Sequence, residues 1–403
     1  MTITLMSGFR RQLSGAALGA LLLATAQLGG ASVAAAADEA PAMETKAEEA
    51  LLVDGETGTI LLQKNPDKPF PPASLAKMMT MEVVFEAVDG GKLALDTEFP
   101  ISVHAWRTGG APSGTSTMFA DVKSSVSVEN LIRGAIVHSA NDACIALAEG
   151  MAGSEEDFAA TMNRRAAELG LTGSHFVNPT GLPADGQHVT VRDLVTLARH
   201  IRTAHPELYK IYAQPDFKWN NIFQRNRNPL LKMDIGADGM ETGYTEASGY
   251  ALLGVTSRNG RITYLALSGL ATSKDRSEEA RRLLDWSDES FAIRHLYTKG
   301  AVVGSAGVFG GETGSVSLVA PEDISALLPR EEGERLSARI RYDGPLAAPV
   351  EKGAEVASLD VMVDGEPVLT EPLAAGSAVA AGSFSDRAMG AVSELAFGWI
   401  RQF

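Results

Sequence analysis

The sequence predicts an α/β domain at residues 50–298, a small all-β domain at 299–382 and an amphipathic helix at 383–403. In the first region, strand-like apolar runs alternate with segments in which apolar residues recur every three or four positions. In the second region, short Val, Ala and Leu runs are separated by Gly, Pro and Asp, which is typical of strands joined by turns. In the third region the helical period returns.

The first 37 residues have the pattern of a secretory signal. Arg10 and Arg11 precede an apolar run rich in small residues, and Ala35-Ala36-Ala37 resembles a cleavage site. The first acidic residue is Asp38, which follows directly. Residues 38–49 are polar and charged, so we expect a flexible lead-in there. The sequence therefore predicts an exported protein.

The composition narrows the class of protein. The 403 residues are 45% hydrophobic and 21% charged, which is ordinary for a globular protein, and the net charge of −15 argues against a nucleic-acid partner. Cys144 is the only cysteine, and its apolar helical surroundings favour a buried, unreactive side chain. The seven histidines show no spacing typical of metal ligands, such as H-E-x-x-H. We therefore expect neither a metal site nor a cofactor.

The α/β region begins with a hairpin and a helix. Two apolar runs flank a glycine-containing turn in residues 51–62, which predicts a β-hairpin. A helix is expected after Pro72, because proline disfavours a helical conformation in the residue before it. This helix should end at the glycines 90–91. Residues 101–123 are rich in Gly, Ser, Thr and Pro, so we expect a loop without regular structure.

Further helices and a second hairpin complete this region. Ser127 has the character of a helix N-cap, and the helix that it opens reaches His138. Ser139 and Asn141 therefore lie at a junction between two helices. An Asn-Gly pair at 259–260 joins two apolar runs and is a strong hairpin signal. The remaining predicted elements are 143–151, 158–169, 190–200, 250–256, 261–268 and 276–286.

Ser74 and Lys77 form the first candidate site. They lie three residues apart at the start of a predicted helix, so their side chains share one face, about 5–6 Å apart between β-carbons. A serine hydroxyl attacks a carbonyl only when a base is near, and lysine serves as that base where burial disfavours its charged form. Apolar neighbours supply such surroundings: Leu75, Met78, Met79, Met81, Val83 and Val84. Alone, S-x-x-K is a weak signal, because serine often caps helices and lysine is common within them.

Two further motifs follow in the order that one enzyme family shows: Ser139-Ala140-Asn141 and Glu241-Thr242-Gly243. Together with the segments 178–182, 242–245 and 248–250, they make the chain resemble the serine D-alanyl-D-alanine carboxypeptidases, which are low-molecular-mass penicillin-binding proteins. The resemblance covers nearly the whole mature chain. It implies a β-lactamase/transpeptidase-like domain, which is an antiparallel sheet flanked by helices, followed by the all-β domain and the C-terminal amphipathic helix.

The resemblance implies catalytic roles at four positions. Ser74 is expected to attack the D-Ala–D-Ala carbonyl, with Lys77 as its general base. Ser139 is expected to relay the proton to the leaving amine. Asn141 is expected to hold the peptide amide and the Lys77 ammonium. The site is expected between the sheet edge that carries Thr242 and the helices that carry the catalytic residues.

The third motif is implied to bind the substrate. Backbone N–H groups of Ser74 and Tyr244 are expected to form an oxyanion hole, and Thr242 is expected to bind the terminal carboxylate of the substrate. Gly243, the third residue of the motif, lies between Thr242 and Tyr244 in the chain and is a predicted site position as well. Glu241 is a site position where the family has lysine, and a carboxylate there opposes the charge of the substrate carboxylate.

Three outcomes of this departure stay open. Another cation compensates, with Lys232 and Arg192 as candidates; the substrate preference has shifted; or the activity is weak. No role is therefore assigned to Glu241 from the sequence.

The leading hypothesis is a carboxypeptidase that trims the terminal D-alanine from peptidoglycan pentapeptides, with β-lactam antibiotics as inhibitors that acylate Ser74. A β-lactamase is an alternative, but the chain has no clear deacylating glutamate element of the class A kind. A second alternative is a cell-wall-binding homologue with weakened catalysis, for which Glu241 is the only support.

The C-terminal tail is expected to bind the inner-membrane surface. Its apolar residues share one helical face: Phe384, Ala388, Val392, Leu395, Trp399 and Phe403. Such a helix either lies in a bilayer interface or packs on its own protein, and the terminal Trp and Phe favour the bilayer. With the signal segment, this predicts a location at the periplasmic face of the cytoplasmic membrane.

Overall fold

The computed structural model describes residues 43–330 and 336–384, and these form two compact units. The larger unit comprises residues 45–301 and 322–330, and the smaller comprises mainly 302–321 and 336–384. The predicted signal segment, the start of the lead-in and the tail helix beyond residue 384 lie outside the described residues. Within the described ranges, no helix has the length and hydrophobicity needed to cross a bilayer.

All eight described helices belong to the larger unit. They are α1 (Lys77–Asp89), α2 (Val103–Thr108), α3 (Val128–Val137), α4 (Asn141–Ala152), α5 (Glu155–Glu168), α6 (Val191–Ala204), α7 (Pro206–Tyr209) and α8 (Ser273–Ser290). Short 3-10 helices lie at Ala73–Ala76, Ala111–Ser113, Lys210–Ala213 and Pro229–Lys232.

The strands are numbered in chain order through both units. The first ten are β1 (Glu49–Asp54), β2 (Ile60–Lys64), β3 (Glu98–Pro100), β4 (Ser125–Ser127), β5 (Asp216–Trp219), β6 (Ile222–Arg225), β7 (Ala237–Thr245), β8 (Gly249–Arg258), β9 (Arg261–Leu270) and β10 (Phe291–Tyr297). The others are β11 (Val302–Phe309), β12 (Ser315–Val319), β13 (Ile324–Pro329), β14 (Leu336–Arg341), β15 (Leu346–Ala347), β16 (Glu355–Val363) and β17 (Glu366–Ala375).

A five-stranded antiparallel sheet, in the order β2-β1-β9-β8-β7, forms the framework of the larger unit. The two predicted hairpins, β1–β2 and β8–β9, are confirmed. Asn259 and Gly260 both have positive φ, which the tight turn between β8 and β9 requires. Six consecutive residues of β8 are buried, so both faces of this sheet are covered. Helices α6 and α8 pack on β9.

Helix α1 lies in the middle of the helical layer. Its first nine residues, 77–85, are all buried, which is typical of a helix surrounded by protein on every side. The predicted end at the glycines after Asp89 is confirmed, and Ser127 caps α3 as predicted by accepting a hydrogen bond from Asn130 N.

The prediction of an irregular loop at residues 101–123 was wrong in part. Helix α2 occupies six of these residues, and a 3-10 helix follows. Ser102 caps α2 by accepting a hydrogen bond from Ala105 N, and Ala105 is the one buried residue of the helix. A single buried residue leaves no periodic apolar pattern for sequence reasoning to detect.

The smaller unit is a β-structure. Its six-stranded sheet has the order β14-β16-β17-β12-β11-β15, with one parallel pair between β11 and β15. The short apolar runs that predict strands in this region include residues 336–341 and 356–363, and both are confirmed, as β14 and β16. Strand β13 belongs to the larger unit, where it pairs with β10. The larger unit thus includes a segment that follows the domain boundary predicted at residue 299.

Candidate active site

Ser74 and Lys77 lie at the transition from a 3-10 turn to an α-helix. Ser74 is in the turn Ala73–Ala76, and Lys77 is the first residue of α1. Lys77 Nζ lies 2.9 Å from Ser74 Oγ and donates a hydrogen bond to Thr180 O at 2.7 Å. The amine therefore contacts the hydroxyl directly, and the Thr180 carbonyl fixes its orientation.

The surroundings of Lys77 favour its neutral form. The residue is 1% exposed, and burial lowers the pKa of its amine because the ammonium loses hydration. Cys144 and Glu241 act in the opposite direction, and the positive charge of Arg227 adds to the lowering. A lysine with a lowered pKa has the neutral fraction that a general base requires.

Two glycines allow neighbouring segments to approach the Ser74 turn closely. Gly181 has a φ of +78°, and a Cβ there would overlap the carbonyl oxygen of Ala73. In strand β7, a Cβ on Gly243 would lie 3.1 Å from both Ala73 Cβ and Pro72 O. The glycines thus place the Thr180 carbonyl and strand β7 in direct contact with the turn that bears Ser74.

The second motif lies at the start of α4. Ser139 has a φ of +56° and precedes the helix, while Asn141 is its first residue. Asn141 Nδ2 donates to Thr115 Oγ1 at 2.9 Å. Ser139 Oγ and Asn141 Oδ1 are buried and make no hydrogen bond with the part of the chain that the structure describes. Unpaired buried polar atoms are costly, and they are typical of sites that bind a ligand.

Asp142, to which the sequence assigned no role, positions the loop over this motif. Its carboxylate accepts hydrogen bonds from Thr117 Oγ1 at 2.7 Å, Met118 N at 3.0 Å and Ala120 N at 3.2 Å. Burial raises the pKa of Asp142, while these donors act against that rise. The loop is held next to α4, and Thr115 is thereby placed to bind Asn141.

Glu241 is a buried carboxyl group in strand β7. It is 3% exposed, and its Oε1 accepts a hydrogen bond from Thr242 N at 2.9 Å. Burial raises the pKa of Glu241 to about 7, although the charge of Lys77 acts in the opposite direction. Ser139 has a small lowering influence as well. Near neutral pH, the carboxyl is therefore partly protonated.

A cavity of about 920 Å³ adjoins these residues. Among the predicted site residues, Ser74, Asn141 and Tyr244 line it. Four other predicted site residues have polar side chains that do not line the cavity and are at most 8% exposed: Lys77, Ser139, Glu241 and Thr242. Tyr244 is 52% exposed and its ring packs 4.3 Å from that of Tyr250. The nucleophile thus faces the cavity, and its base is hidden from water.

Among the described residues, Arg227 is the lysine or arginine that lines the cavity, and sequence reasoning missed it. Its Nε donates to His138 O at 3.3 Å, and its charge acts on both Lys77 and Glu241. The two cations that the sequence suggested are wrong candidates: Arg192 is paired with Asp67, and neither it nor Lys232 lines the cavity. The signal available was the basic run 225–227, which lies far from the motifs in sequence.

Comparison with known proteins decides the family. Residues 34–267 match the family described as D-alanyl-D-alanine carboxypeptidase. The chain belongs to this family. Residues 291–381 match a second family, described as the C-terminal domain of penicillin-binding protein 5. The predicted family and the predicted sequence of an α/β domain and an all-β domain are therefore confirmed.

Individual carboxypeptidases of the family are similar over most of their length. The chain is 36% identical to the D-alanyl-D-alanine carboxypeptidase DacC of Escherichia coli, over 87% of this chain and 88% of that protein. The crystal structure of penicillin-binding protein 5 from Haemophilus influenzae has a TM-score of 0.73 at 35% identity, covering 84% of this chain and 98% of that one. That of the carboxypeptidase DacD from Francisella tularensis has a TM-score of 0.75 at 29% identity, covering 84% and 95%.

Members of this carboxypeptidase family are serine hydrolases of the bacterial cell wall, and the predicted enzyme class is confirmed at that level. Penicillin-binding protein D2 from Listeria monocytogenes, with a TM-score of 0.53 at 29% identity over 61% of this chain and 98% of that one, has been solved with ampicillin bound. The roles of individual residues in this chain remain predictions.

Proposed function

We propose that the protein releases the terminal D-alanine from peptidoglycan stem peptides through an acyl-enzyme on Ser74. The observation that supports this most is the 2.9 Å contact between Ser74 Oγ, which faces the cavity, and the buried amine of Lys77. A hydroxyl and a desolvated amine in direct contact are the elements that an activated serine nucleophile needs. The family to which the chain belongs has this chemistry in its name.

In the acylation step, neutral Lys77 accepts the proton of the Ser74 hydroxyl while Oγ bonds to the carbonyl carbon of the penultimate D-alanine. The bond from that carbon to the leaving nitrogen breaks, and the nitrogen takes a proton from the Lys77 ammonium by way of Ser139. The Ser139 hydroxyl fits this relay because it is buried beside the Glu241 carboxyl, and among the residues described no hydrogen bond of ordinary geometry holds its Oγ. Water then hydrolyses the ester by the same proton path.

The substrate is held by groups on three sides of the cavity. Asn141 Oδ1 is free to accept a hydrogen bond from the peptide N–H, since its amide nitrogen is already bound to Thr115. Tyr244 also lines the cavity, on edge strand β7, and its backbone N–H with that of Ser74 binds the oxyanion. Thr242 lies beside them in the same strand.

Arg227 binds the substrate carboxylate in place of the lysine that the family has at position 241. A guanidinium at the cavity wall attracts the substrate carboxylate and binds it through charge-assisted hydrogen bonds. Glu241 interferes little with this attraction when it carries a proton, and its pKa of about 7 leaves a substantial protonated fraction near neutral pH. The departure from the family pattern thus leaves carboxylate recognition in place, by a cation at a different position.

A labelled-penicillin experiment on the purified chain tests this function. We expect durable labelling of the wild type and none of Ser74→Ala, with full labelling of Ser337→Ala as the matched control on an exposed strand. We also expect release of D-alanine from a peptide that ends in D-Ala–D-Ala. Rapid turnover of the label would instead indicate a β-lactamase, and absence of labelling in the wild type would indicate a cell-wall-binding homologue.

The Glu241→Lys variant tests carboxylate recognition. If Arg227 holds the carboxylate, restoring the family lysine changes kcat/KM for D-alanine release by less than about tenfold. A larger gain would show that glutamate weakens substrate binding, and the role assigned to Arg227 would be wrong.

We also propose that the protein acts at the periplasmic face of the cytoplasmic membrane. The support is the signal-like segment 1–37 and the amphipathic period of 383–403, together with cell-wall function in the family. Expression of the full chain and of a chain that ends at residue 382, followed by membrane fractionation, tests this. Equal recovery of both in the membrane fraction would contradict an anchor in the tail.

A further inference from the structure

A second cluster of buried ionisable side chains lies between α1 and α6. Glu82 in α1 is fully buried, His200 lies in α6, and His205 follows the end of α6 and is 3% exposed. One ligating atom of each residue lies within 4.8 Å of the others. Packing of α1 on α6 brings them together, which explains why the histidine spacing gave no signal.

Two atoms of this cluster face each other without a hydrogen-bond donor. Glu82 Oε2 and His205 Nε2 are 3.5 Å apart, and both are buried with no hydrogen-bond partner within residues 43–330 and 336–384. The other ring nitrogen of His205, Nδ1, is bound to the carboxylate of Asp89. When Nδ1 donates its proton to Asp89, Nε2 presents a lone pair to the Glu82 oxygen. A positive species between the two acceptors, either a proton or a metal ion, removes this conflict.

The donor set is one that zinc prefers. Two imidazole nitrogens and a carboxylate oxygen are three ligands of a tetrahedral zinc site, whose ligand atoms lie about 3.3 Å from one another. His200 Nε2 is 3.1 Å from Glu82 Oε1, and His205 Nε2 is 3.5 Å from Glu82 Oε2. The carboxylate of Asp89 on the far nitrogen of His205 is the group that orients a metal-bound imidazole and raises its basicity.

Arg165 is the cation that competes for this position. It binds Glu82 Oε1 at 2.9 Å and lies 3.2 Å from His200 Nε2. It also binds Glu86 at 3.2 Å and Glu168 at 3.1 Å, so it can release His200 and keep two carboxylate partners. A cavity of about 410 Å³, which Arg165 lines, gives the guanidinium space to move away from the cluster.

The charge of the region favours a divalent cation. Four carboxyl groups belong to the bonded network around Arg165 and His205: Glu82, Glu86, Asp89 and Glu168. Even when Lys92 and Arg164 from the cavity wall are counted with Arg165, the carboxylates are in excess. An ion with two positive charges is attracted to such a site, and burial strengthens that attraction.

We propose that Glu82, His200 and His205 bind a Zn²⁺ ion that links α1 to the end of α6, with Asp89 as the positioning residue for His205. Lys77 begins the same helix α1, five residues before Glu82. The ion would therefore hold in place the helix that carries the general base. Its role is structural, because the three ligands lie in α1, in α6 and directly after α6, and none of them lines the cavity that Ser74 faces; a water is the fourth ligand.

Zinc titration of the full chain, after removal of metal with a chelator, tests this. We expect one equivalent of Zn²⁺ to bind the wild type and to raise its melting temperature, and Co²⁺ to give the visible absorption of a four-coordinate site. His200→Gln should weaken binding by more than about 100-fold, and Asp89→Asn by about 10–100-fold. Asp89 and His200 are partly exposed, so these variants can fold.

The matched control is His104→Gln, which removes an exposed histidine 2.6 Å from Glu155 and should leave zinc binding unchanged. Failure of the wild type to bind zinc stoichiometrically would overturn the proposal. The species between Glu82 Oε2 and His205 Nε2 would then be a proton. Equal zinc affinity in the wild type and His200→Gln would overturn it too, because the ion would then lie elsewhere.

Discussion

Glu241 in the larger unit and Asp360 in the smaller unit are carboxyl groups that are similarly covered, at 3% and 4% exposure, and yet their pKa values move in opposite directions. Burial raises the pKa of Glu241 to about 7. The pKa of Asp360 is lowered, first of all by its hydrogen bond with Arg341. Asp360 accepts hydrogen bonds from Arg341 at 3.1 Å and from Thr370 at 3.0 Å, and Arg339 lies 3.6 Å away.

The difference shows that depth of burial and partners together decide the charge of a covered group. Glu241 lies deep in its unit, whereas Asp360 is covered by its arginine partners close to the surface. Two guanidiniums and a hydroxyl stabilise the Asp360 anion, as in a structural ion pair. Glu241 has a backbone N–H and a lysine that is itself desolvated, and this leaves its neutral form favoured up to about pH 7. The cavity region therefore holds a carboxyl group that exchanges its proton near neutral pH.

The largest expected effect is at Lys77. If its lowered pKa makes it the base for Ser74, then Lys77→Ala lowers kcat/KM for D-alanine release by about 10³-fold or more. Lys232→Ala, an exposed lysine outside the cavity wall, should change kcat/KM by less than about twofold. Steady-state assays of both variants measure this. A comparable loss of kcat/KM in both variants would mean that Lys77 is not the general base.

The next effect concerns the pH dependence of stability. The pKa of Glu241 rises from 4.5 to about 7 on folding, so between these values the folded protein holds a proton that the unfolded chain has lost. The free energy of unfolding therefore falls as pH rises through this window, by about 3 kcal/mol in all for this group. In Glu241→Gln this fall should be absent, so above pH 7 the free energy of unfolding of the variant should increase relative to that of the wild type.

Urea unfolding at several pH values measures this difference. Three tryptophans of the larger unit, Trp106, Trp219 and Trp286, report on the unfolding of the region around Glu241. Parallel stability curves for the wild type and Glu241→Gln would contradict a raised pKa, and Glu241 would then resemble Asp360.

Arg227→Ala should reduce kcat/KM by about 10–100-fold, mainly through a higher KM, because charge-assisted hydrogen bonds contribute about 1.5–3 kcal/mol. The matched control is Arg225→Ala, an exposed arginine two residues earlier in β6. Kinetics with peptides that end in D-Ala–D-Ala separate the two. An equal loss in both variants would indicate general attraction by positive charge instead of a specific contact.

The smallest effect is expected at Asp360. Asp360→Asn should destabilise the smaller unit by about 1 kcal/mol at neutral pH, because its arginine partners are about half exposed and exposed pairs contribute little. Since the pKa of Asp360 is lowered on folding, this contribution is present above its unfolded value and is lost as pH falls through the folded one. Calorimetry at neutral and acidic pH checks the sign, and a variant more destabilised in acid would contradict it.

Much of the fold could be predicted because it depends on local patterns. The Asn-Gly turn at 259–260, the cap at Ser127 and the glycines after Asp89 each fix a boundary through the backbone geometry of a few residues. Helix α2 was missed because Ala105 is the only buried residue among its six, so its sequence has no repeating pattern of buried apolar positions. Local signals fail where a helix is too short for its buried positions to recur.

The site was predicted where motifs carry chemistry in fixed spacing, as in Ser74 and Lys77. Arg227, Asp142 and the cluster of Glu82 with two histidines were not, because their partners are distant in sequence. Lys232 and Arg192 were chosen on charge alone, and charge alone does not say which side chain reaches the cavity.

By itself, the sequence determined the family, the two hairpins of the five-stranded sheet and the placing of Ser74 beside Lys77, since each follows from motifs that are short in the chain. Only the tertiary structure decided which cation faces the cavity and whether a hidden carboxyl group is charged. Both depend on which distant side chains share a low-dielectric interior, and no spacing within the chain records those neighbours.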